Sequence, residues 1–340
     1  MLKPFIAKIV NHQNLTVQEA EEAMNIIMTG QATQAQIGAY LISLRMKGET
    51  IDEITGSARA MRSVASKVPY DRGGEDLLDI VGTGGDGTHT FNISTTAAFV
   101  IAGAGPKVAK HGNRAASSKC GSADVLDALG VNLDLTPEQV ADCIREVGIG
   151  FLFASKIHPA MRHAIGPRRE IGQRTIFNIL GPLTNPAGVT HQLIGVFDPK
   201  WTIPMATALG ELGVTAAYVV HGFGGVDELT TAGMNQVTAL RDSKVNSFEL
   251  DPAEYHLRSA SPDELRGGDP PVNALMLRAI LSGQDHSSRR DVVLLNSAAA
   301  LATRHGDFKK GIQEAEQSLA SGAALARLDS LISFSQRIAQ

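Results

Sequence analysis

The sequence has little of what staples, anchors or exports a protein. It holds two cysteines, Cys120 and Cys143, in 340 residues. Two cysteines make no disulfide framework, and a reducing compartment suits such a chain. Aromatic residues are only 5% of the total, so its cores must be aliphatic and alanine-rich. No apolar run reaches the roughly 20 residues of a membrane span. The stretch Met1–Val10 lacks the apolar segment and small-residue cleavage site of a secretory signal. A cytoplasmic protein with no membrane partner is expected. Excess basic charge is missing too: the formal net charge is −4. A nucleic-acid binder would carry a basic face, so no nucleic-acid partner is expected.

What is present points to an α/β enzyme. A chain of 340 residues exceeds what one core usually serves, so two domains, or one large domain with an appendage, are expected. The first seventy residues read as helices. Thr16/Glu19, Thr33/Gln36 and Thr50/Glu53 each have capping-box spacing, and Gly30 and Gly48 stand at helix stops. The breaker cluster Pro69–Glu75 marks the boundary. A helical domain over 1–73 and an α/β domain over 74–340 follow. Beyond the boundary, short apolar runs end at glycine and lead into helices: Leu77–Val81, Lys107–Ala109, Phe151–Ala154, Gln192–Phe197 and Ala216–Val220. Strands alternating with helices imply a mainly parallel central sheet. Thr136 and Ser261 read as helix starts, and helices are expected from Asp291 to the carboxyl end.

Three loops carry chemistry. Gly82-Thr83-Gly84-Gly85-Asp86-Gly87 follows a strand and precedes Asn92-Ile93-Ser94-Thr95, which opens an apolar helix. Glycines let backbone N–H groups approach phosphate oxygens, and a helix amino terminus favours negative charge. Asn92, Ser94 and Thr95 have side chains suited to capping that helix. A tight turn with a capped helix is the plainer reading, but four glycines in six residues argue for an anion cradle. The loop is neither a P-loop nor a dinucleotide fingerprint, and Asp86 is out of place beside a phosphate. Lys107–Ser122 interleaves Lys110, His111, Asn113, Arg114, Ser117, Ser118, Lys119 and Ser122 with glycine, as a second phosphate clamp would. Asp227 and Glu228 are adjacent carboxylates in a further glycine-rich loop; beside a diphosphate, such oxygen donors suit Mg²⁺. Among the arginines of 158–186, one is a candidate partner for an acceptor's carboxylate, and Arg169 reads as an ordinary surface residue.

These motifs, with Arg174–Leu183, occur together and in order. The chain thereby resembles the anthranilate phosphoribosyltransferase family, of the class-IV phosphoribosyltransferase and nucleoside-phosphorylase-like group, over nearly its whole length. The resemblance implies a small α domain joined to a larger α/β domain, with a segment at about 160–190 returning to the helical part as a hinge. It implies homodimers through that part. Phosphoribosyl diphosphate would be bound by Gly82, Gly85, Asp86, Thr90, Asn92, Ile93, Ser94, Thr95, Lys110, His111, Gly112, Asn113, Arg114, Ala115, Ala116, Ser117, Ser118 and Ser122. Gly82, Asn113 and Arg168 would contact anthranilate, with His111 and Pro182 along its path. Ser94, Asp227 and Glu228 would bind Mg²⁺. The family's reaction needs no covalent nucleophile. A pyrimidine nucleoside phosphorylase would need a different basic and serine motif. A non-catalytic, nucleic-acid-binding relative would show eroded metal and acceptor motifs.

Overall fold

The computed structural model describes residues 2–115 and 118–338. Two candidate phosphate-binding residues, Ala116 and Ser117, lie outside the described residues. The amino-terminal bundle consists of α1 (Lys3–Val10), α2 (Val17–Met28), α3 (Gln34–Lys47) and α4 (Ile51–Val64). Capping boxes at Thr16, Thr33 and Thr50 close in both directions, which fixes the start of three of these helices. Glu53 has a second task. Its fully buried carboxylate accepts from the backbone N–H of Leu15 and Thr50 and from Lys47 Nζ, at 2.8–3.0 Å. One side chain thus ties the α1–α2 turn to the end of α3 and the start of α4.

The larger part alternates strands and helices. Its elements are β1 (Leu77–Gly82), α5 (Ile93–Gly103), β2 (Lys107–Gly112), α6 (Ser122–Ala128), α7 (Pro137–Val147), β3 (Ile149–Phe153), α8 (Ala154–Ile157), α9 (Arg162–Ile171) and α10 (Phe177–Leu180). There follow β4 (His191–Gly195), α11 (Thr202–Glu211), β5 (Ala216–His221), β6 (Asn235–Arg241), β7 (Lys244–Leu250), α12 (Pro270–Leu281), α13 (Ser288–Ala302), α14 (Phe308–Ala320) and α15 (Ala323–Ile338). Among the described residues they form a sheet in the order β3-β2-β1-β4-β5-β6-β7. It is parallel from β3 to β5 and antiparallel beyond. From β1 the chain winds outward through β2 and β3, then resumes on the other side of β1 with β4. The crevice at the carboxyl ends of β1 and β4 is therefore a topological switch point, where α/β sheets bind ligands.

Several elements differ from the sequence reading. Strands β2, β3 and β4 are offset from their apolar runs by one to three residues at an end, because pairing with neighbours and not hydropathy sets where a strand stops. The hairpin β6–β7 is additional. It turns at Asp242 and Ser243, both at positive φ, a two-residue turn suited to hairpin twist. Ser261 does bond Glu264 in the manner of a capping box, yet no helix grows from it. Arg266 is drawn into a bridge with Thr90, and Gly267-Gly268 ends the turn.

Alternation along β4 and β5 sends Leu193, Tyr218 and Val220 to one core and Ile194, Ala217 and Val219 to the other. The second core also holds Ile27, Leu41 and Ile54 of the bundle and Met205 and Leu209 of α11. The bundle thus shares its core with one face of the sheet. Helix α9 packs on α2 and α3, with the His163 ring against Gly30.

Lys47 is also largely buried in its pair with Glu53. Glu53→Ala removes that ammonium's counter-charge, leaving it the Asn14 and Gly48 oxygens, and strands two backbone donors, so a loss of about 3 kcal/mol in urea unfolding is expected. A loss below about 1 kcal/mol would show that the tie is dispensable.

Candidate active site

The site begins with glycines at strand ends. Gly82 closes β1, Gly195 closes β4, and Gly222 follows β5. A Cβ on Gly82 would overlap the Asp227 carboxylate. One on Gly195 would overlap the Asp227 carbonyl oxygen, and one on Gly222 the Glu228 carbonyl oxygen. The segment Asp227-Glu228 therefore lies directly across the ends of three neighbouring strands, and only residues without a side chain leave it room.

Both acidic side chains are held there by backbone donors. Asp227 Oδ2 accepts from the N–H of Gly84 in the glycine-rich loop at 2.5 Å. Glu228 Oε1 accepts from the N–H of Ser94, in the first turn of α5, at 3.2 Å. The expected side-chain caps of α5 are not formed. Asn92 is turned away: its Oδ1 accepts from Asn273 Nδ2, and its Nδ2 donates to the Cys120 carbonyl. Thr95 is buried and Ile93 packs in the core. Glu228 supplies the negative group that the helix terminus favours.

Charge is crowded here. Burial, then the neighbouring Asp86 and Glu228 charges, hold the Asp227 carboxyl well above the usual carboxylate range. Burial pushes Glu228 up to about 7, with Lys110 opposing. Asp86 finds its role as a loop tie. Its carboxylate accepts from Thr88 N–H at 3.1 Å and Thr88 Oγ1 at 2.6 Å, and from the Asp227 N–H at 3.3 Å. It shapes the glycine-rich turn and pins the acidic segment to it. On the outer side of that turn, Arg174 donates to the Gly85 carbonyl and stacks on Phe197.

Lys110 lies beneath the acidic pair, almost wholly buried. Its Nζ donates to the Ile80 carbonyl at 2.7 Å and stands 3.5 Å from Ser94 Oγ. Burial lowers its pKa, and the Asp79 and Glu228 charges oppose that. Asp79, which the motifs did not single out, is the buried counter-charge. It accepts from the His111 N–H at 3.1 Å and from Asn185 Nδ2 at 2.8 Å, while Asn185 also donates to the Ala109 carbonyl. Asparagine 185 thereby couples the Leu183–Pro186 segment to β1 and β2.

The basic loop is arranged differently from a bare clamp. Arg114 is exposed and paired with Asp124 and Asp127 at 2.9 and 3.0 Å. Asp124 also accepts from the N–H groups of Ala115 and Gly121. Gly112 has no room for a Cβ beside Ser122 Oγ, and Ser122 donates to the Asn113 carbonyl. Asn113 Oδ1 accepts from Ser155 Oγ at 3.2 Å, which joins this loop to α8. Thr90 and Ser118 border a small cleft of about 80 Å³ together with His89, Lys119 and Arg266. The one hint of Arg266 in the sequence is its place before Gly267-Gly268. The Arg168 side chain forms no hydrogen bond or ion pair among the described residues, and its guanidinium lies 5.0 Å from the Phe177 ring. Pro182 is buried, its carbonyl accepting from Gln192.

His111 and His158 meet edge to face at 5.1 Å. Burial, then His158 and Lys110, push His111 down to about 3; burial alone pushes His158 to about 4. Both rings are neutral throughout the physiological range. As pH falls below the unfolded value near 6.5, the unfolded chain takes up a proton that the native ring refuses, so stability is lost toward acid. His158→Gln is expected to remove about 2 kcal/mol of the loss between pH 6.5 and 4.5, read in denaturant titrations. Parallel losses in variant and wild type would contradict the assignment.

Comparison with known proteins gives the family. Residues 74–325 match the model of the glycosyl transferase family, a/b domain, and residues 3–65 that of its helical bundle domain. An anthranilate phosphoribosyltransferase from Rhizobium rhizogenes is 52% identical over 98% of both chains. The crystal structure of the enzyme of that name from Thermus thermophilus superposes with a TM-score of 0.92 at 44% identity, covering 97% of this chain and 99% of that one. That from Saccharomyces cerevisiae, solved in complex with PRPP and Mg, gives 0.89 at 29% identity over 99% and 98%. Similar to these enzymes in sequence and fold over nearly its whole length, the chain belongs to the anthranilate phosphoribosyltransferase family.

Proposed function

We propose that this chain transfers the phosphoribosyl group of 5-phospho-α-D-ribose 1-diphosphate to the amino group of anthranilate. The products are N-(5-phosphoribosyl)anthranilate and diphosphate, as a step in tryptophan biosynthesis. One observation carries the reading most directly. Two buried carboxylates sit on the backbone donors of a glycine-rich loop and a helix terminus, at the switch point of the sheet. Donors that hold carboxylates are equally suited to diphosphate oxygens.

The residues suit Mg²⁺. Asp227 and Glu228 offer hard oxygen donors whose burial and crowding disfavour the charged form unless a cation lies beside them, and the Ser94 hydroxyl is adjacent. No three His, Cys, Asp or Glu side chains close into a metal cage among the described residues. An open set of one or two carboxylates plus substrate and water oxygens is what Mg²⁺ prefers. Bound there, the ion would neutralise charge on the departing diphosphate.

The chain's own groups position the substrates. Gly84 and Ser94 N–H groups are the proposed diphosphate donors, with Gly82, Gly85, Thr90, Asn92, Lys110–Ala115 and Ser118 as further proposed contacts. The unpaired Arg168 guanidinium is the proposed partner of the anthranilate carboxylate, with Asn113 and the neutral His111 and His158 rings along the path. The anthranilate amine is neutral at pH 7, so no strong base is required. Orientation and electrostatics supply the rate as the C1 centre becomes oxocarbenium-like.

We further propose a helical domain over 1–73 joined by a returning segment near 160–190, which can act as a hinge between the two substrates. A homodimer through the bundle is supported by the exposed apolar side chains of Val10, Met46 and Ile165 on α1, α3 and α9. No helix of the described residues is long and apolar enough to cross a membrane. A cytoplasmic location is our reading.

Anthranilate fluorescence should fall when the protein is mixed with phosphoribosyl diphosphate and Mg²⁺. No fall, or an equal fall without Mg²⁺, would overturn the proposal. Arg168→Ala should raise the KM for anthranilate about 10- to 100-fold, the worth of a charge-assisted bond, with little change for phosphoribosyl diphosphate. Equal losses on both would remove Arg168 from the acceptor site. Gly195→Ala should displace the acidic segment and lower kcat/KM by about 100-fold, with the helical circular dichroism kept. Full activity in that variant would contradict the close approach.

A further inference from the structure

A second cavity, of about 460 Å³, lies between the bundle and the sheet, and none of the proposed substrate residues lines it. Its volume suits a small organic molecule. Arg45 at the end of α3, Arg174, and Lys200 in the turn before α11 bring three cations to its wall. Glu49 and Asp198 bring two carboxylates, and burial pushes the pKa of Glu49 upward. Lys200 Nζ pairs with Asp198 Oδ2 at 3.3 Å, Arg174 is turned to the Gly85 carbonyl and Arg45 to the Arg174 carbonyl, so the wall's net excess of one positive charge suits a monoanion and not a dianion. Phe197, Ile179 and Pro204 supply apolar surface.

Two residues of this wall are buried with polar atoms unused. Trp201 is 8% exposed and Thr175 5%, and neither Trp201 Nε1 nor Thr175 Oγ1 has a hydrogen-bond partner among the described residues. Both atoms are closed off from solvent, and an unmet buried donor costs about 1–3 kcal/mol, which a ligand acceptor would relieve once the wall shifts to admit it. Neither atom serves the transfer reaction. Arg174 also donates to the carbonyl of Gly85, so the cavity abuts the outer side of the glycine-rich loop.

We propose that this cavity is a second ligand site, for a small planar carboxylate with an apolar body. Its carboxylate meets Arg45 and Lys200, its ring packs against Phe197 and Trp201, and it takes up the free hydrogen bonds of Trp201 and Thr175. The site is separate from the acceptor position at Arg168.

Trp201 is the single tryptophan of the chain, and Lys200 Nζ lies 5.0 Å from its ring, so its emission reports the cavity directly. The test titrates full-length protein with benzoate and, separately, with inorganic phosphate, without substrates. A saturable change in Trp201 emission with benzoate is expected, at least about tenfold tighter than any phosphate response. Lys200→Gln and Thr175→Val should each weaken it severalfold, and Arg168→Ala should leave it intact. The proposal is overturned if benzoate gives no saturable change. It is equally overturned if phosphate matches benzoate, if Lys200→Gln and Thr175→Val both respond as wild type does, or if Arg168→Ala abolishes the response. An emission shift on dilution alone, with no probe, would also overturn it, because a second copy of the chain would then fill the cavity. None of these readings depends on turnover, so they stand or fall apart from the transfer assay.

Discussion

Two carboxylates pressed against the backbone N–H groups of Gly84 and Ser94 organise this molecule's working end. That contact dictates glycine at positions 82, 195 and 222, since any side chain there would collide with the acidic segment. It also sets the charge of the crevice. Asp86 holds the segment by the Asp227 N–H and adds a third negative group, while Lys110 provides a single buried cation beneath. The donors that a diphosphate would use are already engaged by anionic side chains. Such an arrangement repels a bare diphosphate and suits one whose charge is shared with a cation.

The crevice is held differently on its two sides. Beneath it, Asp79, Asn185 and Lys110 lock β1, β2 and the Leu183–Pro186 segment into one buried polar network. Above it, individual side chains join the bundle to the rest of the chain in addition to the shared apolar core. Arg62 donates to the carbonyls of Leu183 and Leu212, Arg174 to that of Gly85, and Arg45 to that of Arg174.

Much of this was legible in the residues. Capping boxes at Thr16, Thr33 and Thr50 mark helix starts because their hydrogen bonds are local. The glycine-rich turn after Leu77–Val81 is readable for the same reason: strand, turn and helix are contiguous. Distance in sequence hides the rest. Asp79 looks like one more strand residue until Asn185, 106 positions away, is seen to bond it. Asp86 looks misplaced because its partner, the Asp227 N–H, is 141 positions on. Asn92 has the composition of a cap, yet Asn273 claims its carbonyl, and Glu228 takes the vacant donor. Ser261 has a cap and no helix because Thr90 recruits Arg266 into a bridge. In each case a long-range partner overrides a local preference.

The central claim is that Asp227 and Glu228 occupy the anion donors and yield them only when their charge is neutralised. Calorimetric titration of phosphoribosyl diphosphate into the Asp227→Asn/Glu228→Gln double variant, with and without Mg²⁺, tests it directly. Without metal the variant should bind at least about tenfold more tightly than wild type, and Mg²⁺ should no longer improve its binding. Metal-free binding no tighter than wild type, or an undiminished gain from Mg²⁺, would contradict it.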